Sequence, residues 1–205
     1  MTTSVHVAMI PTLVKSLVNL ASLKVPALTS LKDKHIRRAG EATLLQVANI
    51  LSESVVDGLG IRTVVFFQGC PRHCVGCHNE PLIPFEGGTE YSATDLADII
   101  LKNLTPIHRG VTFSGGEPLS QPDGLMDLIY LLRKEKPDLN IWVYTGFTYE
   151  EISKMPIVSS FNVLVDGPFI VAQRNLDLPF RGSNNQRLID IPKTIAHASI
   201  IELDL

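Results

Sequence analysis

The sequence predicts an α/β fold built on a mainly parallel sheet, and three observations predict it. From residue 45 onward, short apolar runs rich in β-branched and aromatic residues alternate with stretches of helical period. Glycine or proline turns close these runs. Strand, helix and strand follow one another at the intervals of right-handed βαβ crossovers.

The elements follow in chain order. Arg62 to Gln68 (RTVVFFQ) reads as a buried strand that delivers the chain into a cysteine-rich loop. Ser92 and Asp95 make a capping pair ahead of Leu96, Ile99, Ile100 and Leu104, which share one helix face. Gly110 to Ser114 is a second strand, ending in Gly115-Gly116. Leu125, Leu128, Ile129 and Leu132 mark a second amphipathic helix, with Pro137 just past its end. Ile141 to Thr145 is a third strand, stopped by Gly146, and residues 148 to 154 form a short helix. Phe161 to Val165 is a fourth strand, closed by Asp166-Gly-Pro168. In a parallel sheet the loops after the strands open on one edge, where ligands bind. The cysteine loop and the Gly-Gly-Glu-Pro, Tyr-Thr-Gly and Asp-Gly-Pro turns all fall at such ends, so the topology predicts one shared site.

Charge divides the chain. Residues 1 to 44 hold Lys15, Lys24, Lys32, Lys34, Arg37 and Arg38 against Asp33 and Glu41, a net of +4. The whole has 18 basic and 21 acidic side chains, leaving 12 and 19, or -7, for residues 45 to 205. The expected organisation is therefore a basic, non-catalytic N-terminal extension over 1 to 44 and one catalytic domain over 45 to 205. Ile10, Leu13, Val14, Leu17 and Leu20 allow a short amphipathic helix in the first part; a targeting peptide or a start at Met9 are the alternatives. The formal charge of -3 and hydrophobic content of 45% give no sign of nucleic-acid binding. Lys15 and Lys24 interrupt the apolar N-terminal region, and no run elsewhere reaches the ~18 uncharged residues that a membrane span needs.

All three cysteines of the chain, Cys70, Cys74 and Cys77, lie in "GCPRHCVGCHN". An odd number at such close spacing argues against disulfides and for a reducing, cytoplasmic setting. Two readings of the three thiols stay open. One is zinc completed by His73 or His78, as a structural knot. The other is a 4Fe-4S cluster whose fourth iron has no protein ligand, which a compact loop can wrap on three corners. The stretch Thr112 to Leu119 (TFSGGEPL) favours the second, because two glycines admit a ligand to the backbone and a carboxylate stands beside them. The alternative is a simple tight turn, which Gly-Gly-x-Pro by itself marks more often than a binding site. Asp57 and Arg62 could pair across the turn before the first strand, or serve a partner. His73, His78, His108 and Trp142 read first as loop, surface or core residues.

The cysteine spacing followed by Ser-Gly-Gly-Glu-Pro resembles the radical S-adenosylmethionine superfamily. Within it, "SVVDGLGIRTVVFFQGCPRHCVGCHN", "TFSGGEPL", "IWVYTG", "NVLVDGPF" and "FRGSNNQRLID" are similar to the activating proteins of anaerobic ribonucleoside-triphosphate reductase, from about Leu45 to Asp190. The resemblance implies a partial (β/α) barrel of radical S-adenosylmethionine type. It implies that Cys70, Cys74 and Cys77 ligate three irons of a 4Fe-4S cluster and that S-adenosylmethionine binds the fourth. Gly115, Gly116 and Glu117 would meet its methionine amino group, and Gly76, Cys77 and His78 would line its other side. The implied activity is reductive cleavage to a 5'-deoxyadenosyl radical, which takes hydrogen from a glycine of the large reductase subunit. The cofactors carry this chemistry, so no catalytic acid, base or nucleophile is expected from the chain. A low-potential donor such as reduced flavodoxin would supply the electron. Activation of pyruvate formate-lyase or another glycyl-radical enzyme is the alternative; a zinc-binding module or an electron shuttle would be different classes. Two departures stand out. Gly76 occupies a place where many superfamily members have an aromatic residue, and Leu59 interrupts an expected Asp-Gly-Pro-Gly turn.

Overall fold

The computed structural model describes residues 43 to 205. The expected N-terminal helix and nearly all of the proposed extension lie outside them.

Seven strands form one sheet in the order β3-β1-β2-β4-β5-β6-β7. Its centre is parallel, as expected: β2 (Ile61–Phe67), β4 (His108–Gly115), β5 (Asn140–Tyr144) and β6 (Val163–Asp166) run in one direction. Three further strands make the sheet mixed. β1 (Leu44–Ser54) lies antiparallel to β2, β3 (Thr89–Ser92) antiparallel to β1, and β7 (Arg187–Asp190) antiparallel to β6. The sequence reading did not assign these three. β1 carries two register shifts against β2, so its inward positions, such as Leu45 and Val47, do not alternate cleanly over its length.

Three of the four helices fill the crossovers of the parallel centre. α1 (Ala93–Asn103) starts on Ser92, whose hydroxyl accepts from the Asp95 N–H at 3.1 Å, the capping pair expected from the sequence. α2 (Pro122–Glu135) joins β4 to β5. α3 (Tyr149–Ile152) opens with a Thr148/Glu151 capping box and leads towards β6. α4 (Ile191–His197) follows β7.

Because successive strand residues face opposite sides, the sheet has two unlike faces. One packs Val65, Phe67, Val111, Phe113, Ile141, Val143 and Leu164 against Leu96 and Ile100 of α1 and Leu125, Leu128, Ile129 and Leu132 of α2. Fully burying side chains of this kind contributes roughly 1.5–3 kcal/mol each. The second face has a smaller core of Trp142, Val163, Val165 and Leu188. Arg62 is built into that second face. It is 1% exposed, donates to Thr112 Oγ1 at 2.7 Å and to the Val111 carbonyl at 2.7 Å, and lies 5.2 Å from the Trp142 ring centroid. Burial pulls its guanidinium pKa down to about 10.

The expected Asp57–Arg62 pair takes another form. Thr112 Oγ1 receives the Arg62 Nε–H and donates to the Asp57 carbonyl at 2.7 Å, so a threonine hydroxyl stands between them. The Asp57 carboxylate instead accepts from Ser54 Oγ at 2.5 Å. A buried arginine with neutral acceptors around it serves to hold strands together.

Candidate functional site

The C-terminal ends of β2, β4, β5 and β6 surround one cavity of about 610 Å³. Its wall includes Cys70, Cys74 and Cys77 after β2, Ser114, Gly115 and Gly116 at the end of β4, Tyr144, Thr145 and Gly146 after β5, and Gly167 after β6. The four turns singled out in the sequence therefore meet, as parallel-sheet topology requires. Phe169, Phe180, Arg181, Gly182 and Gln186 close the cavity from the segment between β6 and β7.

Backbone contacts stitch the cysteine loop to the glycine turn. The Gly116 N–H donates to the Phe67 carbonyl at 2.8 Å, and the Glu117 N–H donates to the Gly69 carbonyl at 2.8 Å. Asn79 Nδ2 adds a bond to the Gly115 carbonyl at 3.2 Å. The two glycines are required by this approach. Gly115 has φ +106°, and a Cβ there would lie 2.4 Å from the Phe67 nitrogen; one on Gly116 would lie 2.4 Å from the Gly69 carbonyl oxygen. Sequence reasoning assigned the close approach to a ligand, but the first neighbour to need it is the chain's own strand end.

Glu117 is fully buried and is not among the residues that line the cavity. Its carboxylate accepts from the Leu119 N–H at 3.0 Å, the Gly146 N–H at 2.8 Å, and the Thr145 hydroxyl at 2.9 and 3.0 Å. This ties the turn after β4 to the turn after β5. Burial pushes its pKa up, while the bonds from Gly146, Leu119 and Thr145 oppose the rise.

The three cysteines are free and partly exposed. Burial raises the Cys70 thiol, a bond from the Arg72 N–H opposes it, and Glu117, Cys74 and Cys77 raise it further. Gathering three thiolates beside a buried carboxylate is thus unfavourable without a cationic group to bind them. The donor set suits an iron–sulfur group on that ground. Among the described residues, no three His, Cys, Asp or Glu side chains converge closely enough to hold a single metal ion. His78 lines the cavity, whereas His73 does not. Gly76, with φ +72°, packs its α-carbon towards Val171 and Phe169, which lie 3.6 and 3.8 Å from where a Cβ would stand. His108 bonds within its own turn through Thr105, and Trp142 belongs to the core.

Residues 56–189 match the profile of the 4Fe-4S single cluster domain. The anaerobic ribonucleoside-triphosphate reductase-activating proteins of Salmonella typhi and Escherichia coli K12 are each 36% identical over 140 residues, covering 64% of this chain and 90% of theirs. The chain belongs to this family. A second relative is the pyruvate formate-lyase-activating enzyme of Clostridium pasteurianum, 41% identical over 114 residues, or 53% of this chain and 48% of that one. Among solved structures, QueE from Escherichia coli aligns at 21% identity and a TM-score of 0.38, over 51% of this chain and 53% of that chain, too weak a likeness to add to the fold.

The family match spans the cysteine loop, the Gly115-Gly116 turn and every cavity-lining residue except Leu51. Sequence reasoning missed Arg72, Phe169 and Arg181 as cavity residues. Arg72 has no periodic or spacing signal, and the other two come from an irregular segment whose fold depends on side-chain bonds. Gln186 Oε1 there accepts from the Gly182 and Ser183 N–H groups at 2.8 and 3.2 Å, and Gln186 Nε2 reaches the Gly167 carbonyl at 3.1 Å.

Proposed function

We propose that this chain is a glycyl-radical enzyme activase whose protein substrate is anaerobic ribonucleoside-triphosphate reductase. The observation that carries the reading is the meeting of all three cysteines and the Gly115-Gly116 turn on one cavity at the sheet's C-terminal edge, in a chain of the activating-protein family. In this reading Cys70, Cys74 and Cys77 ligate three irons of a 4Fe-4S cluster. S-adenosylmethionine occupies the open iron, with Gly115, Gly116 and Glu117 towards its methionine amino group and Gly76, Cys77 and His78 on its other side. When bound, cluster and S-adenosylmethionine supply the reductive cleavage to a 5'-deoxyadenosyl radical that takes hydrogen from a glycine of the partner.

The chain's own part is to hold and enclose. Glu117 serves here through its main chain and through its negative charge, which when ionised favours a cation in front of the two glycines. Thr145 and Gly146 keep that carboxylate in place. The apolar Phe66, Phe169 and Phe180 limit the water that can reach the cavity. Arg62 and Thr112 brace the sheet beneath it. In this reading the open sheet is a partial (β/α) barrel, residues 45 to 205 are the catalytic domain, and residues 1 to 44 are a peripheral extension. A low-potential donor such as reduced flavodoxin provides the electron in a cytoplasmic setting. Among the described residues, no helix is long and apolar enough to cross a membrane.

The Clostridium pasteurianum relative favours a second reading, activation of pyruvate formate-lyase. Anaerobic incubation of the reconstituted protein with each candidate partner, S-adenosylmethionine and a reductant separates the two. The first reading expects a glycyl radical by electron paramagnetic resonance with the reductase and none with the lyase. The reverse result would replace it.

A further inference from the structure

One side chain fastens the cysteine loop to the neighbouring strand end. Arg72, between the first two cysteines, crosses directly over Gly146, where a Cβ would lie 2.6 Å from Arg72 Cδ. Its Cζ lies 4.5 Å from the Phe147 ring centroid. Its Nη2 donates to both carboxylate oxygens of Glu151, at 3.2 and 3.1 Å. Glu151 is itself fixed, because its Oε2 accepts from the Thr148 N–H at 2.6 Å at the start of α3. The Arg72 main-chain N–H points back to Cys70 Sγ at 3.4 Å.

The remaining ties of the loop are few, and one of them, from Asn79 Nδ2 to the Gly115 carbonyl at 3.2 Å, lies at its far end. The Cys70 N–H donates to the Ile83 carbonyl at 2.9 Å, and the Cys77 N–H to the Cys74 carbonyl at 3.1 Å. Ordering a long arginine side chain costs entropy, and its Nε is buried without an acceptor. Only the aromatic face, the carboxylate and the glycine bed compensate; Gly146 and Phe147 lie on the β5–α3 connection and Glu151 in α3 itself.

We propose that Arg72 is a positioning residue for the cysteine loop, seated on Phe147 and Glu151, and that its charge helps to set the reduction potential of the iron–sulfur group held there. The second half rests on the cluster reading; the first does not. Adding an electron to a cluster bound by three thiolates increases negative charge, so a nearby cation favours reduction. Glu151 partly cancels that cation. Removing Arg72 and removing the Glu151 charge should therefore shift the potential in opposite directions while both loosen the loop.

The test uses full-length Arg72→Gln, Arg72→Lys and Glu151→Gln proteins, each checked for native circular dichroism. In metal-free protein, hydrogen exchange by mass spectrometry over peptides spanning residues 70 to 79 should quicken about tenfold in Arg72→Gln, the loss expected from one stacked cation and one exposed ion pair. Arg72→Lys, which keeps charge without the planar fork, should fall between. Peptides of β4 and β5 should be unchanged. In reconstituted protein, a potentiometric titration followed by electron paramagnetic resonance should give a more negative midpoint for Arg72→Gln and a more positive one for Glu151→Gln. Exchange unchanged in Arg72→Gln would overturn the positioning role, and midpoints that stay put or shift in the same direction would overturn the electrostatic one. If the unaltered protein takes up no iron–sulfur cluster, the proposed function fails and the electrostatic half with it, and exchange alone decides the positioning role.

Discussion

Replacing Glu117 by glutamine should destabilise the metal-free protein although size and shape are nearly preserved. Both carboxylate oxygens face donors: Oε1 receives the Leu119 N–H, Oε2 the Gly146 N–H, and the Thr145 hydroxyl lies between them. A glutamine amide must direct its NH₂ at one of those two backbone N–H groups, whichever way it is turned. One buried donor then loses its acceptor, at a cost of roughly 1–3 kcal/mol. With a urea slope of about 2 kcal/mol/M for a chain of this size, a loss near 2 kcal/mol lowers the unfolding midpoint by about 1 M without changing the slope.

The pH dependence of that difference has a definite sign. Burial raises the folded pKa of Glu117 above its unfolded value, which is about 4.3. The native state therefore binds the extra proton between the two values, and stability falls as pH rises through the folded pKa. That contribution is fully present below the unfolded value. Glutamine cannot titrate, so the gap between parent and variant should be widest below about pH 4 and narrow as Glu117 ionises. Denaturation series in urea at several pH values measure it directly. A gap within about 0.5 kcal/mol throughout, or one that widens with pH, would refute the reasoning.

Three other outcomes follow from the same geometry. Cys74→Ala should abolish both cluster assembly, read as iron content and visible absorption, and 5'-deoxyadenosine formation, read by chromatography. Gly115→Ala places a methyl group against the Phe67 backbone at φ +106° and should cost about 3 kcal/mol in thermal or urea unfolding, since neither backbone can move aside cheaply. Asp166 is fully buried and accepts from Arg187 Nε at 3.0 Å, from Arg187 Nη2, and from the Tyr149 N–H at 2.7 Å. Asp166→Asn should therefore cost about 3 kcal/mol, whereas Glu150→Gln, which removes only the exposed arm of the same arginine's pairing, should change stability by less than about 1 kcal/mol in the same assay.

The parallel centre of the sheet was legible because its strands are buried on both faces and so read as unbroken apolar runs. The expected strands at 62 to 68 and 141 to 145 fall within a residue of β2 and β5. β1 was not, since its two register shifts break the alternation that marks a half-buried strand. β3 and β7 have only four residues each, and their neighbours define them more than their own composition does. The convergence of the four turns was predictable from topology alone. The inward direction of the Glu117 side chain was not, because it depends on Thr145 and Gly146, which lie 28 and 29 residues away. Nor was the Arg62–Thr112–Asp57 relay, where a residue on the adjacent strand takes the place of a direct ion pair.

The most direct test of the account is radical formation itself. Protein reconstituted without oxygen is incubated with the large subunit of anaerobic ribonucleoside-triphosphate reductase, S-adenosylmethionine and a low-potential reductant, and the frozen sample is read by electron paramagnetic resonance. The account predicts a glycyl radical on the partner that requires S-adenosylmethionine and all three of Cys70, Cys74 and Cys77. A colourless protein carrying one zinc ion, with no radical and no 5'-deoxyadenosine, would contradict it.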